Sequence, residues 1–83
     1  MFQGWHEKVI DFIPGSLGIK CSDWDTGMIA EVVHGQAFDK GVQAGWKIAW
    51  VDHLPYCESL LDFRLDHGQP FKITFLCPGV RKA

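Results

Sequence analysis

Residues 14–19, Pro-Gly-Ser-Leu-Gly-Ile, run from turn-forming residues straight into an alternating apolar stretch, so the chain passes here from a tight loop into a strand. Gly18 carries no Cβ and can hold backbone angles that other residues avoid. Leu17, Gly18 and Ile19 can therefore turn consecutive N–H groups inward as a nest of carboxylate size, with Leu17 and Ile19 as apolar walls. Such a loop suits the charged end of a peptide. Taken alone it is weakly specific, because Gly-Ser-Leu-Gly also serves in ordinary turns.

The remaining pattern is a series of short apolar runs separated by turn residues. Residues 5–13 read as a first strand ended by Pro14, residues 17–22 as a second and residues 28–33 as a third, with a turn at 23–26 between the last two. Gly35 and Gly41 leave room for only a short helix. A longer helix is expected from Pro55, placed in its first turn, to a stop at Gly68, with Glu58 near its positive end. Phe71, Ile73 and Phe75 alternate with Lys72 and Thr74 in a closing strand over residues 70–77, ended by Pro78 and Gly79. The chain has no low-complexity tract, internal repeat or linker.

From Gly35 the sequence reads Gln-Ala-Phe-Asp-Lys-Gly-Val-Gln-Ala-Gly-Trp-Lys-Ile-Ala-Trp-Val-Asp-His to position 53. A small-residue helix before a glycine turn, a strand and a tight turn, combined with the loop at 14–19, resembles a PDZ domain over roughly residues 8–77. The resemblance implies a mainly β fold with two helices, a partly open β-barrel or sandwich of five to six strands with one short and one longer helix. It implies a single domain over residues 1–83, excised from a longer protein. Trp46 stands where the family usually has an acidic residue, and Asp52-His53 stands for its usual Asn-Gly. The family's basic residue shortly before the loop is matched here by Phe12 or Ile13.

The resemblance also implies a function: capture of the C-terminal tail of another protein as an added strand beside residues 17–22. The amides of Leu17, Gly18 and Ile19, aided by a helix end, are expected to receive the carboxylate. Ile19 and Cys21 are expected to exchange main-chain bonds with the tail, with Lys20 and Ser22 on the same strand. Counting back from Gly68 as the family's spacing suggests, Cys57, Leu61 and Arg64 fall on the groove, with Leu65 closing the pocket and Leu60 and Phe63 left for the core. Shifting the register by one residue brings Tyr56, Leu60 and Phe63 to the groove, but it sends Ser59 and Asp62 to the core, which is physically poorer. A valine at position 18 is expected to block the carboxylate and leave the fold intact. With Cys57 at the position where some PDZ domains carry histidine, the residue two before the tail's end is expected to be apolar and not Ser or Thr.

Composition narrows the classes. Eighty-three residues make one small core. A net charge of −2 with both signs interspersed gives no basic footprint for nucleic acid, and the apolar runs are too short to span a bilayer. Cys21, Cys57 and Cys77 are odd in number and widely spaced, which reads as reduced thiols and a cytoplasmic setting. Ser16 lacks a nucleophile elbow, and the histidines and cysteines show no Cys-x-x-Cys or His-x-x-x-His pair. Asp23-x-Asp25-x-Gly27 matches only part of a calcium loop, since its sixth and twelfth positions are Met28 and His34, and a hairpin turn explains it better. Neither enzyme activity, metal nor cofactor is expected. The partners expected are C-terminal peptides with an apolar last residue. Two other classes stay open: a regulatory appendage of a larger enzyme such as a protease, and a degenerate domain whose groove is unused.

Overall fold

The computed structural model describes residues 5–78. Within them lie β1 (Trp5–Phe12), β2 (Ile19–Asp23), β3 (Met28–Val32), α1 (Gln36–Asp39), β4 (Lys47–Val51), β5 (Leu54–Pro55), α2 (Glu58–Asp66) and β6 (Phe71–Pro78). The strands form one antiparallel sheet in the order β1-β6-β4-β3-β2, with β5 paired to β4. The fold class is therefore as expected: mainly β, six strands, one helix of four residues and one of nine. Gly79, expected to end the closing strand, lies outside the described residues.

The alternation in β6 is the organising signal. Phe71, Ile73 and Phe75 are buried, whereas Lys72 is exposed, so one face of this strand carries the centre of the core. Phe12 joins it across the β1–β6 ladder, packing on Phe71 with ring centroids 6.2 Å apart and edge-on against Phe75 at 6.0 Å. Leu17, Ile29, Ala37, Val42, Ile48, Val51 and Leu61 complete that core. Trp46 packs against Phe75 at 5.7 Å, while Trp5, Trp24 and Trp50 remain 37–48% exposed as half-covered surface. Val9 and Ile13, apolar residues of the expected first strand, are 57% and 60% exposed. Only Ile10 and Phe12 of that run reach the core, because successive side chains of a strand point to opposite faces of the sheet.

Two expectations change. Pro55 does not open the second helix. It pairs with Trp50 in β5, Tyr56 N–H donates to the Ala49 carbonyl at 2.9 Å, and the chain is still extended at Cys57 (φ −147°) before α2 begins at Glu58. The second strand also starts later, at Ile19, because Leu17 uses its backbone elsewhere: its carbonyl accepts from Ala37 N–H at 3.0 Å, and its side chain is buried.

Candidate functional site

A groove runs between β2 and α2. Two backbone contacts fix their relative direction. Gly15 N–H donates to the Leu65 carbonyl at 3.2 Å, which ties the loop before β2 to the C-terminal end of α2. At the other end Tyr56 Oη, just ahead of α2, donates to the Trp24 carbonyl at 2.5 Å, just beyond β2. Strand and helix are therefore antiparallel. The helix end beside the loop is the carbonyl-rich one, whose dipole opposes an anion, so any carboxylate there depends on the loop amides alone.

Between strand and helix lies a pocket of about 280 Å³, walled by Leu17, Gly18 and Ile19 on one side and Leu61 and Leu65 on the other, with Ile48 also among the residues that line it. Leu61 is buried and Leu65 half-buried. At its mouth the N–H groups of Leu17 and Gly18 donate to no acceptor among the described residues, although the Gly18 carbonyl is held by Val33 N–H at 2.7 Å. Ile19 is one residue further along and stands opposite Val32. Alternation of antiparallel pairing turns its own N–H and C=O toward the open side of β2, which is the last strand in the sheet order. Unpaired donors, an apolar cavity and an open strand edge lie in one stretch of residues.

The loop is held by a residue that the sequence did not single out. Gln36, at the start of α1, accepts from Ile13 N–H at 2.9 Å and donates through Nε2 to the Ile13 carbonyl, also at 2.9 Å. The same nitrogen stands 3.4 Å from the Ser16 carbonyl. One amide side chain thus imitates a neighbouring strand for the segment that leads into the loop. A glutamine near a short helix carries no such signal by spacing, because its partner is 23 positions away.

The other expected site residues are placed differently from one another. Lys20 borders the pocket and is exposed; Cys21 is half-buried, and its thiol is pushed up to about 11, chiefly by burial and then by Glu58 and Asp23. Ser22 is exposed and does not border the pocket. Cys57, expected at the first groove position, is exposed at the N-cap of α2 and stands apart from the pocket. Its thiol is lowered, first by the Ser59 hydroxyl 3.6 Å away and then by the Leu60 backbone. Arg64 turns away from the groove: its Nε lies 2.9 Å from Asp52 Oδ2, close enough for charge attraction but out of line for a hydrogen bond. Phe63, expected in the core, is 51% exposed and stacks near His67 at 4.4 Å, whereas Leu60 does pack on the core. Of the residues this register expected on the groove, Leu61 and Leu65 border the pocket, whereas Cys57 and Arg64 do not.

Gly18 also differs from expectation. Its φ is +80°, as the motif requires, but a Cβ built there meets the Val33 carbonyl oxygen at 2.8 Å and the His34 carbonyl oxygen at 3.3 Å. A side chain at position 18 therefore collides with the backbone that follows β3. A valine there threatens the fold itself, contrary to the reading from sequence.

The Asp23–Gly27 segment is a hairpin turn, with Asp23 Oδ1 accepting from Asp25 N–H at 2.9 Å. Among the described residues no three His, Cys, Asp or Glu side chains gather as a metal site, and no helix is long and apolar enough to cross a membrane. Comparison with family models, curated proteins and solved structures yields no match to this chain. The small, mainly β architecture with two helices is compatible with a PDZ-like fold.

Proposed function

We propose that the domain is a PDZ-like interaction module that binds the free C-terminal tail of a partner protein in the groove between β2 and α2. The observation that carries this reading is the pair of unused amides, Leu17 and Gly18, at the mouth of an apolar pocket beside the open edge of β2. A tail entering antiparallel to β2 would place its carboxylate on those amides, its last side chain between Leu17, Ile19, Leu61 and Leu65, and its backbone on Ile19. Lys20 is a cation that borders the pocket.

The magnitudes fit a reversible contact. Burying one aliphatic side chain contributes roughly 1.5–3 kcal/mol, and each charge-assisted hydrogen bond about as much. Ordering the tail costs about 2–5 kcal/mol. With two such bonds the balance is about 7 kcal/mol at most, which corresponds to binding of several micromolar or weaker, suited to a scaffold that exchanges partners.

The test is a library of peptides with free C-termini, followed by calorimetry on a selected binder as acid and as amide. The acid binds more tightly by at least about 1.5 kcal/mol, the scale of one charged hydrogen bond. Equal affinity of the two forms rejects carboxylate recognition in favour of an internal motif or another surface.

A further inference from the structure

Trp24 stands at the far end of the groove, tied to Tyr56. Trp24 follows β2 and lies beyond Cys21, Ser22 and Asp23 in sequence, yet it borders the same pocket as Leu17 to Lys20, while those three residues do not. Its side chain therefore doubles back along the groove toward the loop. Its backbone is anchored twice over. Tyr56 Oη donates to its carbonyl, and the turn that carries it is tied by the Asp23 side chain and by the Gly27 N–H to Asp23 carbonyl bond at 3.0 Å.

A second, independent observation concerns the edge itself. The pairing of β2 with β3 slips between Lys20 and Cys21 and again between Cys21 and Asp23. At the first slip the extra residue is Ala30 of β3, and at the second it is Ser22 of β2, so the second breaks the alternation that lets an added strand bond to every second residue of this edge. The regular part of the edge ends at Cys21, one residue past Lys20, the last residue of the strand that borders the pocket together with Trp24.

We infer that Trp24 is a specificity-determining residue that confines recognition to the last two residues of a bound tail. This rests on the groove binding a free C-terminus. It replaces the expected readout two positions before the end, because Cys57 does not reach the pocket and Trp24 occupies the way to it.

The test uses N-acetylated peptides of two, four and eight residues with free carboxylates, in three series ending in Val-Leu, Val-Val and Val-Phe. Each is titrated against the ¹⁵N-labelled domain, with the Trp24 indole N–H and the Gly18 amide as reporters. In the best-binding series the dissociation constant changes less than threefold between two and eight residues, and the Trp24 resonance moves with the identity of the last side chain. In Trp24→Ala the eight-residue peptide becomes at least fivefold tighter than the two-residue peptide. Tyr56→Phe, which keeps the wall and removes its anchor, lies between the two. A tenfold or greater gain with length in the unaltered domain overturns the inference while leaving carboxylate binding intact. Absence of binding at every length, or equal binding of the amidated peptides, overturns the groove reading and this inference with it.

Discussion

Replacing Gly18 with alanine isolates the backbone strain on which the loop depends. At φ +80° an L-residue gives up roughly 1–2 kcal/mol relative to glycine. The added Cβ stands 2.8 Å from the Val33 carbonyl oxygen and 3.3 Å from that of His34, so backbone must move rather than a flexible side chain. That movement strains the 2.7 Å bond from Val33 N–H to the Gly18 carbonyl, worth about 0.5–1.5 kcal/mol net. Together the loss is about 1.5–3.5 kcal/mol, a large share of the roughly 4–12 kcal/mol typical of a domain this size. Gly15→Ala is the matched control. Gly15 sits at φ +115° with nothing within 4 Å of its added Cβ, so it suffers the conformational penalty without the collision. Urea unfolding followed by tryptophan fluorescence reads both variants against the parent, and Gly18→Ala loses the more by at least about 0.5 kcal/mol, the lower end of the strained bond. A Gly18→Ala loss below about 0.5 kcal/mol, within the range of ordinary surface substitutions, refutes the argument.

Gln36→Leu removes both bonds to Ile13 and lowers stability by about 1–2 kcal/mol, with amide hydrogen exchange accelerated at Ile13 before the rest of the sheet; unchanged exchange there contradicts the clasp. Alkylation by iodoacetamide modifies Cys57 first, with a half-maximal rate below pH 9, whereas Cys21 reacts only as pH nears 11; the reverse order counts against the site geometry. Because the Cys21 thiol is raised on folding, its contribution to stability is complete below pH 9 and is lost as pH climbs from 9 toward 11, a fall that Cys21→Ala removes. Leu61→Ala, at a site 2% exposed, costs about 2–5 kcal/mol in thermal or urea unfolding, and a cost under about 1 kcal/mol places Leu61 outside the core.

The parts of this fold that sequence made legible are those whose signal is local. The alternation from Phe71 to Phe75 announced β6, and the glycine spacing confined α1 to a single short turn. In loop 14–19 the positive φ of Gly18 was legible, because glycine holds such backbone angles without a steric cost. What stayed hidden depends on distant partners. Pro55 looked like a helix start, yet the Tyr56–Ala49 bond keeps the chain on the sheet for two more residues, and the two residues of β5 are both exposed and carry no periodic pattern. Arg64 had the spacing of a groove residue, but Asp52 on the β4–β5 turn draws it aside. Gln36 and Trp24 have no motif at all: one is recruited by the backbone of Ile13, the other by a tyrosine 32 positions away. The extra residues at Ala30 in β3 and Ser22 in β2 were equally invisible, since the apolar pattern is compatible with unbroken pairing.

The most direct measurement of the central claim is the chemical shift of the Leu17 and Gly18 amides as a free-acid peptide is added to the ¹⁵N-labelled domain. Hydrogen bonding to a carboxylate moves both amide protons downfield and makes them the largest changes in the spectrum, and the amidated peptide leaves them in place. If the largest changes instead fall along β1 or on the outer face of β4, with Leu17 and Gly18 unmoved, the groove between β2 and α2 is not where this protein meets its partner.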